Sequence, residues 1–157
     1  MIEQRTSSSE AFVVYWLGGE AHCVRSSCIA RVVRVPTRKA RNGSTMRISY
    51  EGRAVDVVDL RERLSIQGAG QGDHILLVKG SEGLVGLIVD RVDAVIRLDS
   101  GDFVPPSKLL KGLSHLVGIA TYNGKTLMVT DLTSLGETIM MERAARREDG
   151  EGSLKSR

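Results

Sequence analysis

The sequence predicts a mainly β protein made of small barrels, and three observations predict it. Apolar runs of strand length recur along the chain, each broken by a tight-turn signal. The helical signals between them are brief, and the long strand–helix–strand spacing of a parallel sheet is missing. Third, YEGRAVDVVDL (50–60) aligns without a gap to YNGKTLMVTDL (122–132). Each copy runs from a turn glycine through a half-buried strand to an aspartate placed to cap a helix. Two copies suggest two similar sub-barrels; chance likeness between two hairpins, whose turn grammar is stereotyped, is the competing explanation.

The elements follow in order. Residues 1–10 are polar and predict a disordered tail. FVVYWL (12–17) is strand-like, Gly18-Gly19 turns it, and His22 to Arg25 is the return strand. Ser26 and Ser27 offer caps for a short helix bearing Ile29, Val32 and Val33. PTRKARNGST (36–45) reads as a loop. Met46 to Tyr50 and Arg53 to Val58 flank Glu51-Gly52 as a hairpin. Asp59, three residues before Glu62, resembles a capping box, so DLRERL is a short helix. GAGQGD (68–73) is a connector, and HILLVKG and LVGLIVD are strands around Ser81-Glu82-Gly83. VDAVIRL (92–98) is another strand, and Pro105-Pro106 opens a short helix that Gly112 closes. LVGIATY and KTLMVTD join through Asn123-Gly124, a dipeptide that tolerates positive φ. Asp131 caps a last helix to about Arg147, followed by a frayed, charged tail.

With 157 residues, 41% apolar and 26% charged, the chain has the balance of a globular protein of one domain or two small ones. Aromatic residues are only 4%, which argues against a single-stranded nucleic-acid binder, since that function needs stacking platforms. No apolar run is long enough to span a membrane, and the N-terminus lacks a signal-peptide core, so a cytoplasmic location is expected. Cys23 and Cys28 are expected to be free thiols. The net charge of +3 is unevenly spread, because Arg25 to Arg53 holds eight basic residues against Glu51 alone. Such a patch suits an acidic partner, nucleic acid or a solvated loop.

Chemistry finds little support. GIATYNGKT (118–126) has five residues between its glycines where a phosphate loop needs four, and strands flank it on both sides. GAGQGD does not match G-x-G-x-x-G. His22, His74 and His115 stand apart, and His22-Cys23 with Cys28 lacks a fourth metal ligand. The pairs Asp56/Asp59 and Asp90/Asp93 read as caps and strand ends. With no nucleophile elbow, the sequence makes no case for an enzyme, a metal or a cofactor.

Four stretches, in order, resemble CheW-type chemotaxis coupling proteins: FVVYWLGGEAHCV, EGRAVDVVDLRERL, ILLVKGSEGLVGLIVDRVDAVIRL and LVGIATYNGKTLMVTDLTSL. They cover most of residues 12–136. The resemblance implies two intertwined, SH3-like five-stranded β-barrels with short connecting helices, a C-terminal helix and an apolar groove between the barrels. It divides the chain into a tail (1–10), the CheW-like domain (11–140) and a charged helix end and tail (141–157). It implies a non-catalytic adaptor between the cytoplasmic tip of a methyl-accepting chemoreceptor and a CheA-type histidine kinase, in arrays with other CheW-like proteins. Receptor contacts would fall on Ile29, Arg31, Val33, Glu51 and Gly52, with kinase or array contacts on Arg34, Arg38 and Arg41. Ile29 and Val33 would form one apolar helix face.

The chain departs from that pattern. Glu51 stands where the family has an arginine, and Arg31 where it often has an acid, so two charges are exchanged in sign. Asp56 replaces a proline, and the stretch from Val33 to Ile48 is short and arginine-rich. These departures predict a divergent adaptor that keeps the receptor contact and has a weakened kinase contact. The alternative class is a nucleic-acid-binding β-barrel that uses the basic segment.

Overall fold

A computed structural model describes residues 9–35, 46–66, 72, 74–105 and 115–155, with side chains to residue 146 in the last helix. Among these residues eleven strands and two α-helices follow in order: β1 (Glu10–Leu17), β2 (Glu20–Arg25), β3 (Ile29–Arg34), β4 (Met46–Tyr50), β5 (Arg53–Asp59), α1 (Leu60–Arg63), β6 (His74–Gly80), β7 (Gly83–Val89), β8 (Arg91–Leu98), β9 (Phe103–Val104), β10 (Leu116–Tyr122), β11 (Lys125–Thr130) and α2 (Leu132–Lys155). They form two curled sheets. The first barrel has the order β8-β1-β2-β11-β10-β9, and the second β3-β6-β7-β5-β4.

The turns form where the sequence places them. Gly18 and Gly19, Glu51 and Gly52, and Asn123 and Gly124 all have positive φ, as two-residue hairpin turns require. Asp59 Oδ1 accepts from the Arg61 N–H at 3.1 Å, and Asp131 Oδ1 from the Ser134 N–H at 3.0 Å, so both expected caps are present. Cys23 and Cys28 are free. The expected loop at 36–45, the short helix after Pro106 and all of GAGQGD except Gly72 lie outside the described residues. The last helix runs on to Lys155, past the expected end at Arg147, although Gly150 and Gly152 in that stretch disfavour helix.

One expected element is different. Ser26–Cys28 forms a single 3-10 turn, and Ile29–Arg34 is a strand paired antiparallel with β6. A bulge falls between Ile29 and Arg31. The extra residue restores the face, so Ile29 and Val32 pack on one core while Ala30 and Val33 pack on another. Spacings of three and four residues imitate a helix here. Ile29 and Val33 therefore do not share an apolar face.

Strand exchange organises the whole molecule. Hairpin β1–β2 sits in the barrel that β8–β11 complete, and hairpin β6–β7 sits in the barrel that β3–β5 complete. Each half of the chain thus lends its first hairpin to the other half. The registers match across the halves: Tyr15↔His22 corresponds to Val78↔Val85, and both β3 and β8 carry a bulge at the equivalent place. In each barrel the second strand of the lent hairpin pairs parallel with the strand before the helix: β11 with β2, and β5 with β7.

Three cores result. Phe12, Val14, Cys23, Leu127 and Val129 fill the first barrel, and Val55, Val57, Ile75, Leu77 and Ile88 the second. Between the barrels lies a central core with Val13, Tyr15, Leu17, Leu76, Val78, Val85, Leu87, Leu132, Leu135 and Ile139. The exchanged strands are therefore buried on both faces, which is why they read as unbroken apolar runs. Close packing needs small residues at two points. A Cβ on Gly86 would lie 2.9 Å from Ile75 Cγ2, and one on Gly136 2.7 Å from Val85 Cγ1. Arg63 of α1 grips Glu142 of α2 through both carboxylate oxygens, Nη2 to Oε2 at 2.9 Å, which joins the two halves again.

The central core holds one polar group of note. His22 is 4% exposed, stacks on Tyr15 with ring centroids 5.2 Å apart, and among the described residues has no hydrogen-bond partner for either ring nitrogen. Burial, with a smaller push from nearby His115, drives its pKa down to about 4. His115 is lowered by burial as well.

Leu76→Ala is expected to cost about 2–5 kcal/mol and to leave a single cooperative transition, because its core belongs to both barrels. Urea denaturation followed at Trp16 and by far-ultraviolet dichroism checks this. A histidine with a depressed native pKa binds its proton more readily when unfolded. Its stabilising effect is complete above about pH 6.5 and is lost as pH falls toward 4. Urea midpoints should therefore drop across that window by the equivalent of up to about 3 kcal/mol. His22→Leu should flatten most of the drop.

Candidate functional site

The structure gathers the expected receptor residues on the second barrel without clustering them. Arg31 is exposed on β3, and the Glu51-Gly52 turn is exposed between β4 and β5. β3 and β4 are the outermost strands of that sheet, so the two charges lie on opposite edges in hydrogen-bonding order. Ile29 and Val33 are half-buried and act as core residues. Arg34 is exposed at the end of β3, with Arg53 exposed at the start of β5. Arg38 and Arg41 lie outside the described residues.

Asp56, the residue standing at the family's proline, has a local role. It faces Arg47 directly across the β4–β5 ladder, and its Oδ1 accepts from Arg47 Nε at 2.8 Å. Arg47 remains largely exposed, so the pair contributes about 0.2–1 kcal/mol. The equivalent cross-strand pair in the first barrel is Ile119↔Met128, which is half-buried and apolar. The two barrels therefore present different chemistry from the same framework, one polar and one greasy. Val104 pairs with Ile119 across β9–β10 and extends the apolar face to the sheet edge.

Between the barrels the described residues form a packed apolar interior. Its apolar side chains form the central core, and α2 packs Leu132, Leu135 and Ile139 into it. The exposed large apolar residues lie elsewhere: Val95 on β8, Val104 on β9, Val117 on β10 and Met141 on α2. Sequence reasoning missed these, because exposure on an edge strand depends on which neighbours the fold supplies.

A second missed cluster surrounds Asp90, the single residue between β7 and β8. Its Oδ2 accepts from the Gly18 N–H at 2.8 Å, and its Oδ1 accepts from Arg61 Nη1 at 3.1 Å. Its own N–H donates to the Trp16 carbonyl at 3.0 Å. Arg91 lies over the Trp16 ring, 4.7 Å from its centre, and the indole N–H donates to Asp93 Oδ2 at 3.3 Å. The signals for this cluster were the aspartate ending LVGLIVD and the arginine in DLRERL.

Chemical readings gain nothing from the geometry. GIATYNGKT forms a hairpin, so no helix N-terminus faces a phosphate there. Among the described residues, no group of three or more His, Cys, Asp or Glu side chains is placed to hold a metal ion. No helix among them is long and apolar enough to cross a membrane. What the surface offers is exposed charge and exposed aliphatic groups on a two-barrel body, the equipment of a protein-binding module.

Comparison with known proteins agrees. The profile of the CheW-like domain matches residues 11–139, which span both barrels. The crystal structure of the scaffolding protein TtCheW from Thermoanaerobacter tengcongensis superposes with a TM-score of 0.66 at 25% sequence identity. The match covers 77% of this chain and 88% of that one. No curated protein matches the sequence. Strand order, turn positions and the length of the matched segment lead to one conclusion: the chain belongs to the family of CheW-like domains, the non-catalytic scaffold domains of chemotaxis signalling.

Proposed function

We propose that this chain is a cytoplasmic adaptor that couples a chemoreceptor's cytoplasmic tip to a CheA-type histidine kinase through protein–protein contacts alone. The observation that carries the reading is the family match running through both barrels, because an adaptor needs two partner faces on one body. On the second barrel, Arg31 and the Glu51-Gly52 turn are the receptor contacts, with Ile29 and Val33 fixing β3 to the two different cores on which they pack. Arg34, Arg38 and Arg41 face the kinase or the neighbouring array protein, and the short arginine-rich stretch weakens that contact. The exchanged signs at Arg31 and Glu51 suit a receptor whose own charges are exchanged, which would alter partner choice more than affinity.

The test offers a receptor cytoplasmic fragment and a kinase regulatory domain separately to the immobilised protein. Salt-tolerant retention of the receptor fragment supports the adaptor. Retention of any duplex DNA that collapses steeply with salt would replace this reading with the nucleic-acid one. At the residue level, Glu51→Arg is expected to change receptor affinity about tenfold, the scale of a like-charge contact at an interface. Stability should stay within about 0.5 kcal/mol, since the turn is exposed and either side chain carries the same backbone strain. A loss of stability with unchanged binding would remove Glu51 from the receptor face.

A further inference from the structure

Strand exchange raises a mechanical question: what holds each lent hairpin at a fixed angle to the barrel it came from? The two hairpin tips are equivalent by register, since Leu17↔Glu20 corresponds to Gly80↔Gly83. At each tip the same backbone N–H donates to a carboxylate. Gly18 N–H meets Asp90 Oδ2 at 2.8 Å, and Ser81 N–H meets Glu137 Oε2 at 2.9 Å. In both cases the carboxylate is anchored outside the hairpin's own strands. Glu137 lies on α2, which follows β11 of the first barrel, yet it holds the tip of the second barrel's hairpin. Asp90 lies at the crossover from β7 to β8 and holds the tip of the first barrel's hairpin.

The clamps differ in strength. The Ser81–Glu137 contact is solvent-exposed. The Asp90 clamp is partly buried and has three arms: the Gly18 N–H, the Arg61 guanidinium and the Trp16 carbonyl. Arg61 belongs to α1, which packs on β5 and β7 of the second barrel. A single carboxylate therefore bridges the hairpin tip of one barrel to the helix of the other. Its side chain and that of Arg61 are each about one-fifth exposed, which places the pair between a surface bridge and a buried one.

We propose that Asp90 is a positioning residue that locks the angle between the two barrels, with Arg61 as its second jaw. Its consequence rests on the adaptor reading: partners seated on different barrels keep a fixed mutual geometry only while this clamp is closed. The lock itself is a property of the free protein and is tested without any partner.

Asp90→Asn keeps the side chain's shape and removes its charge. Amide exchange followed by mass spectrometry should show the Gly18-Gly19 turn and α1 opening about tenfold faster. The Ser81-Glu82 turn, held by Glu137, should be unchanged. Glu137→Gln should give the reverse pattern. Trp16 is the only tryptophan and lies two residues before Gly18 on β1, so opening of that tip should shift its emission in Asp90→Asn and not in Glu137→Gln. Spin labels at Glu20 and Glu82, near the two tips, with Cys28→Ser to remove the half-buried native thiol, should report a narrow distance distribution that broadens in Asp90→Asn. Equal acceleration at both tips would mean a general loss of stability and would overturn the proposal, as would an unbroadened distribution. If Asp90→Asn does not fold, Arg61→Gln opens the same clamp from its other jaw and is read in the same way.

Discussion

The structure depends on the reciprocal loan of hairpins. A barrel of five or six short strands can fill its inside but leaves its outer faces wet. By exchanging β1–β2 for β6–β7, the chain gives those strands two apolar environments, one inside a barrel and one between barrels. Fully burying a Leu, Ile or Val side chain contributes about 1.5–3 kcal/mol, and here alternate residues of each strand contribute to different cores. The chain has only 4% aromatic residues and must build stability from aliphatic ones, so burial on both faces is how it reaches enough area. The same arrangement makes the barrels inseparable, since neither half of the chain contains a complete one.

Much of this was legible in the sequence. Double burial writes itself as unbroken apolar runs, and ILLV and LVGLIV announced their strands for that reason. Positive φ writes itself as Gly and Asn, so three hairpins were placed to the residue. Local capping chemistry located the start of both helices. Long-range pairing was harder to read. IARVVR has the spacing of a helix because a bulge inserts one residue, and only the partner strand β6 reveals it. The duplication was visible at 50–60 and 122–132, where turn and cap demand the same residue types. It was invisible between β1–β3 and β6–β8, where only backbone register is kept and the side chains have diverged. The site was less legible than the fold. Charge could be read at Arg31 and Glu51, but not their separation to opposite edges of the sheet. Asp90 looked like a strand end, because neither Gly18 nor Arg61 is near it in sequence.

The departures from the family pattern also make physical sense in place. A proline at position 56 would withhold a backbone N–H; an aspartate there keeps it and gives Arg47 a partner across the ladder. The substitution therefore belongs with the arginine-rich character of its surroundings, not with a lost strand. In the first barrel the same pair of positions is Ile119 and Met128, so the framework tolerates either chemistry on its outer face. Such tolerance lets a scaffold change what it binds while its barrels stay constant, since outer-face pairs contribute little to folding.

A duplicated, exchanged fold carries one hazard: either hairpin could seat in either barrel. The central core contains the means to discourage this. Tyr15 donates to Thr130 Oγ1 at 2.9 Å, and Thr130 in turn donates its one hydroxyl proton to the Cys23 carbonyl at 3.0 Å. The equivalents of Tyr15, His22 and Thr130 in the other half are Val78, Val85 and Val58. A β1–β2 hairpin placed in the second barrel would meet Val58 where it needs Thr130, leaving a buried hydroxyl unpaired at about 1–3 kcal/mol. A β6–β7 hairpin in the first barrel would leave Thr130 without its tyrosine partner. The polar chain adds little to the stability of the correct fold, because its bonds replace bonds to water. Its effect is on the difference between the right and wrong exchange, and that difference decides which hairpin goes where.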